Sequence, residues 1–199
     1  MLQNKMKTYI QHLIEEKTDA IGIYTTEKMY AEKNGFLPEN VKVEEPDFPR
    51  FAKAYLERVN KETEELISAE NPESFLKEKA TYVKINKSEF IYIESDWFDY
   101  VGAENISFEH DDVFSTYKFL LGLKYKKAKG TALKEYFLQK AGGDSEKFEV
   151  LFNDKDGMWD VNFDSALLAD FSEEDALEEM FEKLYSFLFQ LAEALEKTE

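Results

Sequence analysis

Two short stretches carry the residue types that acid–base or metal chemistry needs. Glu94-Ser95-Asp96-Trp97-Phe98-Asp99 is followed ten residues on by Glu109-His110-Asp111-Asp112. Carboxylate oxygens with one imidazole can hold a hard divalent cation. Glu94, Asp96, Asp99, Glu109, His110 and Asp112 are therefore a candidate metal set, and a divalent cation is the one cofactor these residues would admit. Crowded carboxylates can also raise one pKa into the range of general acid–base work. The plainer reading has Asp111 or Asp112 capping a helix and the other acids in solvated loops. It is preferred, because no two ligands stand at i, i+4 with a third following.

Three other stretches invite a chemical reading. The acids of Asn153 to Asp164 around Gly157 look like a calcium loop, but aligning that glycine puts Phe152 and Phe163 where the loop requires oxygen. Asp-Gly between alternating apolar runs reads instead as a hairpin turn. Lys124, Lys126, Lys127, Lys129, Lys134 and Lys140, with Glu135 as their only acid, could receive an anion. Pairing with acids of the same chain, or with a helix C-terminus, explains them more simply. Finally, residues 151–199 hold 14 acids against 3 bases, most of the net charge of −17. Within them Glu173, Glu174, Asp175, Glu178, Glu179 and Glu182 are candidate contacts for a basic protein partner.

Familiar catalytic frameworks are missing from the sequence. The eight glycines are scattered, so no phosphate loop forms, and no G-x-S-x-G occurs. Only His12 and His110 could serve a nucleophile as base, and His12 reads as a surface position on a helix. An enzyme relying on carboxylates and tyrosines remains compatible with the residues.

The elements that must position these residues follow from patterning. Leu2, Met6, Tyr9, Ile10, Leu13 and Ile14 predict a helix over 2–16. Asp19 to Tyr24 predicts a strand, and Thr25-Thr26-Glu27 opens a helix that Asn34-Gly35 closes. Residues 36–49 hold three of the four prolines and read as an extended loop. The stripe Phe51, Tyr55, Val59, Leu66 and Ile67 predicts a helix over 48–68. Asn71-Pro72 opens a short helix to about Lys79. Residues 81–85 and 89–94 predict a hairpin, with helix as an alternative over 87–99. Helices are expected over 111–127 and 130–141, then a hairpin from 148–152 to 158–163. Ser172 to Asp175 has capping-box spacing and opens a C-terminal helix to about Lys197, with Leu177, Met180, Phe181, Leu184, Leu188, Leu191 and Leu195 inside.

These elements imply one α+β domain over 1–199, helix-rich, with a small antiparallel sheet of local hairpins and a long C-terminal helix. A chain of 199 residues can bury about 70% of its unfolded surface, so it needs no staple. Seventeen Phe, eleven Tyr and two Trp supply the apolar area. Without cysteine there is no disulfide scaffold, thiolate metal site or cysteine nucleophile. The N-terminus lacks the apolar core and cleavage site of a secretory signal, and no apolar run is long enough to span a membrane. A cytoplasmic location is the expectation.

Charge narrows the partners. Nucleic acid and anionic membrane both repel a polyanion. The basic residues are 23 Lys and only two Arg, and Arg is the usual bidentate phosphate ligand. The leading expectation is a non-enzymatic binding protein or inhibitor, of the immunity type, steered to a basic protein by its acidic surface. One rival is a small-ligand or metal-dependent enzyme built on the 94–112 cluster. The other is an accessory protein whose acidity only keeps it in solution. The dense apolar run Phe187, Leu188, Phe189 and Leu191 exceeds one helix stripe. It predicts burial on two sides, by internal packing or by a homodimer contact through the C-terminal helix.

Overall fold

The structure, a computed structural model, describes residues 2–16 and 20–197. Two compact units divide the chain, Met1–Arg50 and Phe51–Glu199. Asp19, the expected start of the first strand, lies outside the described residues.

The first unit follows its patterning closely. Helix α1 (Leu2–Glu16), strand β1 (Ala20–Gly22), helix α2 (Thr25–Lys33) and strand β2 (Lys42–Glu44) occur in that order. Strand β2 lies in the proline-rich loop and pairs parallel with β1, Ile21 opposite Val43. Ile10, Ile21, Ile23 and Ala31 form the core, with Tyr9, Leu13, Ile14, Phe36 and Val43 packed around them. The loop's far end is pinned by charge. Arg50 donates from both terminal nitrogens to Glu27 of α2, at 2.8 and 3.0 Å. Its guanidinium sits 4.3 Å from the centre of the Tyr24 ring, and the Tyr24 hydroxyl donates to the Phe48 carbonyl. Both charged side chains are excluded from solvent.

The second unit is an antiparallel sheet of seven strands, in the order β4-β3-β5-β6-β7-β9-β8. Its strands are β3 (Tyr55–Asn60), β4 (Leu66–Glu70), β5 (Glu89–Glu94), β6 (Ala103–Asp111), β7 (Thr116–Leu123), β8 (Phe148–Asn153) and β9 (Met158–Asp164). Short helices α3 (Pro72–Phe75), α4 (Tyr82–Ile85) and α5 (Asp96–Tyr100) interrupt the first strands. Helix α6 (Gly130–Lys140) precedes β8, and α7 (Leu177–Glu196) follows the whole sheet. The α+β class holds, but the sheet is larger than expected.

Three segments depart from their sequence reading. Residues 48–68 are not a helix. The i, i+4 spacing of Phe51, Tyr55 and Val59 is incidental, since Leu56 and Val59 are core residues of a strand. Asn60 breaks the run: its side-chain oxygen accepts the N–H groups of Glu62 and Thr63, and Glu64 takes a positive φ of 57°. Residues 82–85 form a helical turn rather than half of a hairpin, so β5 pairs with β3 and β6 instead. Residues 111–127 are a turn and a strand. Asp111 does accept backbone N–H groups, from Val113 and Phe114, but it closes a turn in which Ser115 has φ 55°. Thr116 to Leu123 then alternates between buried and half-buried positions, the period of a strand.

Alternation divides the sheet into two faces. Ile91, Ile93, Ile106, Phe108, Phe119, Leu121, Val161 and Phe163 are all inward and buried. Phe181 of α7 meets Phe108 edge-on at 6.4 Å, and Phe187 stacks on Phe163 at 5.2 Å. Phe137 of α6 closes the same group against Phe163 and Phe187. All seven residues expected inside α7 are buried, and so are Phe187 and Phe189. The apolar run that suggested a dimer contact is therefore buried within one chain. Helix α7 starts at Leu177, later than the capping-box spacing implied. The box closes a turn instead, Ser172 N–H donating to Asp175 and Glu174 N–H to the Ser172 hydroxyl.

The Arg50–Glu27 pair makes the first unit testable. Arg50→Met leaves a buried carboxylate without its partner, and denaturation followed by circular dichroism is expected to show a loss of about 3–5 kcal/mol. Adding Glu27→Leu should restore most of that loss. A single-variant effect below about 1 kcal/mol would mean that the pair is not buried.

Candidate functional site

The sheet register separates the carboxylate–histidine set into two groups. Glu94 lies opposite Asn105 in the β5–β6 pairing. His110 is five residues further along β6, about 17 Å away at the rise of a strand. Glu94, Asp96 and Asp99 thus stand at one end of β6, with Glu109, His110 and Asp112 at the other. Glu94 accepts a hydrogen bond from the Tyr92 hydroxyl, and Asp99 faces Lys124 at 3.5 Å. Asp96 lies in the first turn of α5, where the Ser95 hydroxyl accepts the Trp97 N–H. Among the described residues, no three His, Asp or Glu side chains come together in a way that could hold a metal ion.

The far end of β6 is a network of ion pairs and hydrogen bonds. His110 is 3% exposed, and its Nδ1 lies 2.9 Å from Asp112 Oδ1. An ionised carboxylate only accepts, so Nδ1 carries the proton. Nε2 is buried with no hydrogen-bond partner among the described residues. The Tyr117 ring meets the imidazole edge-on at 5.2 Å. Tyr117 donates its hydroxyl to Glu173 at 2.8 Å, and Lys84 pairs with the same carboxylate at 2.7 Å. Lys87 pairs with Asp112 at 3.1 Å, and Lys118 with Asp111 at 2.5 Å. Lys61 donates to the His110 carbonyl and faces Glu109 at 3.5 Å.

These contacts lower the carboxylate titrations and raise that of the phenol. The hydrogen bond from Lys84, then that from Tyr117, holds Glu173 below its ordinary value of 4.5. Lys118 lowers Asp111 from 3.8, helped by the backbone N–H groups of its turn. Lys87 and then His110 lower Asp112. Burial, followed by the hydrogen bond to Glu173, raises Tyr117. The corner is built to keep its carboxylates ionised, which suits a structural clasp between β6, β7, α4 and the 172–175 turn.

The acids expected to meet a partner are also largely engaged within the chain. Glu173 belongs to the clasp, and Glu174 pairs with Lys79 at 2.6 Å in a well-exposed contact. Asp175 pairs with Lys183 at 2.6 Å, and Glu179 accepts the Ala176 N–H at the start of α7. Glu178 and Glu182 are half-buried on the same helix. The lysine-rich stretch behaves likewise. Lys124 faces Asp99 and Glu104, Lys127 pairs with Asp154, and Lys129 donates to the Leu195 carbonyl near the negative end of α7. Comparison with protein-family models, curated proteins and solved structures finds no match.

A further charged surface lies on the outward face of the sheet. Strand alternation turns Glu57, Glu94, Glu104, Glu109, Asp111, Glu149, Asp160 and Asp164 to that side, with Lys118 the one strand cation among them. Tyr55 and Tyr92 stand between these acids and donate to Glu57 and Glu94. Burial, then the Glu94 contact, pushes the Tyr92 hydroxyl up to about 12, so this phenol stays neutral and donates to the carboxylate. Sequence reading missed this face because β3, β6 and β7 were not recognised together as strands. The alternation in Thr116 to Leu123 was the available signal.

The lowered carboxylates fix a pH dependence. Each is more acidic folded than unfolded, so its stabilisation is complete above the unfolded value. That stabilisation disappears as pH falls through the lower folded value. The melting temperature is therefore expected to drop as pH falls below about 4. Glu173→Gln should lower the melting temperature at pH 7 and make its decline in acid shallower. A variant as steep in acid as the parent would remove Glu173 from this account.

Proposed function

We propose that the protein is a non-enzymatic binding protein whose acidic surface engages a basic protein. One observation carries the reading: the outward sheet face presents eight strand carboxylates against one strand cation, Lys118, with Lys61 and Lys124 reaching Glu109 and Glu104 from outside the strands, in a chain of net charge −17. Antiparallel pairing holds those charges on a rigid, extended surface, and Tyr55 and Tyr92 add flat aromatic area between them. A field of one sign raises encounter rates with an oppositely charged partner and makes association fall steeply with salt.

Affinity capture from its own cells at low salt tests this directly. A basic protein should be retained in stoichiometric amount and released by a moderate salt gradient. Reversing three outward charges, Glu57→Lys, Glu94→Lys and Asp160→Lys, should slow association with that protein about tenfold or more, at an unchanged melting temperature. Association rates indifferent to both salt and reversal would overturn the proposal.

A further inference from the structure

The two edges of the seven-stranded sheet are managed differently. At the β4 edge the β3–β4 register shifts between Arg58 and Val59. Such a bulge twists an edge away from new partners. At the other edge β8 pairs with β9 in unbroken register from Phe148 to Asn153. Its sequence, FEVLFN, has neither proline nor lysine and favours extended backbone. One side of β8 therefore offers an unpaired row of backbone donors and acceptors, which native proteins seldom leave bare.

Beside that row lies a groove of about 510 Å³, walled by α6 on one side and β8 on the other. Leu138 of α6 and Phe148 and Leu151 of β8 make it apolar, and Leu138 and Leu151 stay well exposed, at 39% and 54%. Glu135 and Glu149 stand on the two walls, with Lys134 beside Glu135. Beyond the strand, the β8–β9 turn adds Asp154 and Asp156 with Lys155 between them, Asp154 being paired with Lys127. An open edge strand flanked by a helix and an apolar trough has the form of a site for strand addition. There main-chain bonds supply affinity and alternate side chains fill pockets.

We propose that the β8–α6 groove binds an extended segment of a partner protein, alternating apolar and basic residues, as an eighth strand of the sheet. The apolar residues would enter the trough over Leu138 and Phe148, and the basic ones, on the other side of the added strand, would meet Glu149. A second copy of the chain is disfavoured as occupant, since two bodies of charge −17 repel. The inference rests on the basic-partner reading above and assigns it a docking mode.

The test uses the full chain and a synthetic six-residue peptide alternating lysine and valine, capped at both ends. Binding is followed by fluorescence anisotropy and by amide hydrogen exchange. Expected are saturable binding and at least tenfold slower exchange at outward-facing amides of β8. Leu138→Lys combined with Glu149→Lys should weaken binding tenfold or more at an unchanged melting temperature. A glutamate–valine peptide, or a lysine–valine peptide N-methylated at alternate amides, should bind at least tenfold more weakly.

Equal binding of either control would overturn the proposal, as would β8 protection that appears with protein concentration alone and signals a second copy. Binding mapped to Glu57 and Tyr92 would overturn the groove while leaving the basic-partner reading standing. Absence of any binding would also overturn the groove. The capture experiment decides the broader reading separately.

Discussion

The second unit depends on aromatic packing between a long helix and one face of a sheet. Phe108, Phe119 and Phe163 come from three strands that are neighbours in the sheet, though not all in sequence. Phe181 and Phe187 of α7 and Phe137 of α6 lie against them. Each fully buried aromatic is worth about 1.5–3 kcal/mol relative to exposure, with a further increment for ring geometry. Much of what the strands gain from having a buried face comes through these rings. Gly130 shows how close the fit is. A Cβ there would lie 2.4 Å from the Trp159 ring, so α6 can begin beside β9 only because that position has no side chain.

Covering one face determines the character of the other. The acids cannot enter the aromatic layer, so alternation sends them outward, where they stay hydrated. The chain's two arginines are both committed to carboxylates, Arg50 buried and Arg58 half-buried. Arg50 holds Glu27, and Arg58 reaches Glu70, Glu89 and the Tyr82 hydroxyl. Many lysines are similarly engaged with nearby carboxylates or carbonyls. What is left over is negative charge on one face of the sheet, a consequence of the fold as much as of the composition.

Legibility in the sequence depended on how local each signal was. Helices α1, α2 and α6 were readable because their apolar spacing or their caps lie within the element. The β8–β9 pair was readable because Asp156-Gly157 sets its turn, with Gly157 at φ 71°. Strands β3, β4 and β7 were misread, wholly or in part, where helical spacing coincided with strand alternation, and β6 carried no assignment. Their partners lie in distant segments: Leu56 faces Ile93, and Leu120 faces Asn162. For the candidate site the limit was similar. Grouping Glu94 with His110 was reasonable in a list of residues, but it ignored that an extended strand keeps them far apart. The His110–Asp112 contact, two residues apart, was the part of that cluster sequence proximity could support.

The position of α7 in the chain also shapes how the unit is assembled. All seven strands precede it, so a polypeptide emerging from the ribosome completes its strands before the helix that seals them. During that interval Phe108, Phe119 and Phe163 lack their final cover, and the nascent sheet is open to premature association with other chains. Synthesis of the 20 residues from Leu177 to Glu196 closes this window. A synonymous change that stalled translation just before Leu177 would prolong it without altering a single residue of the finished protein.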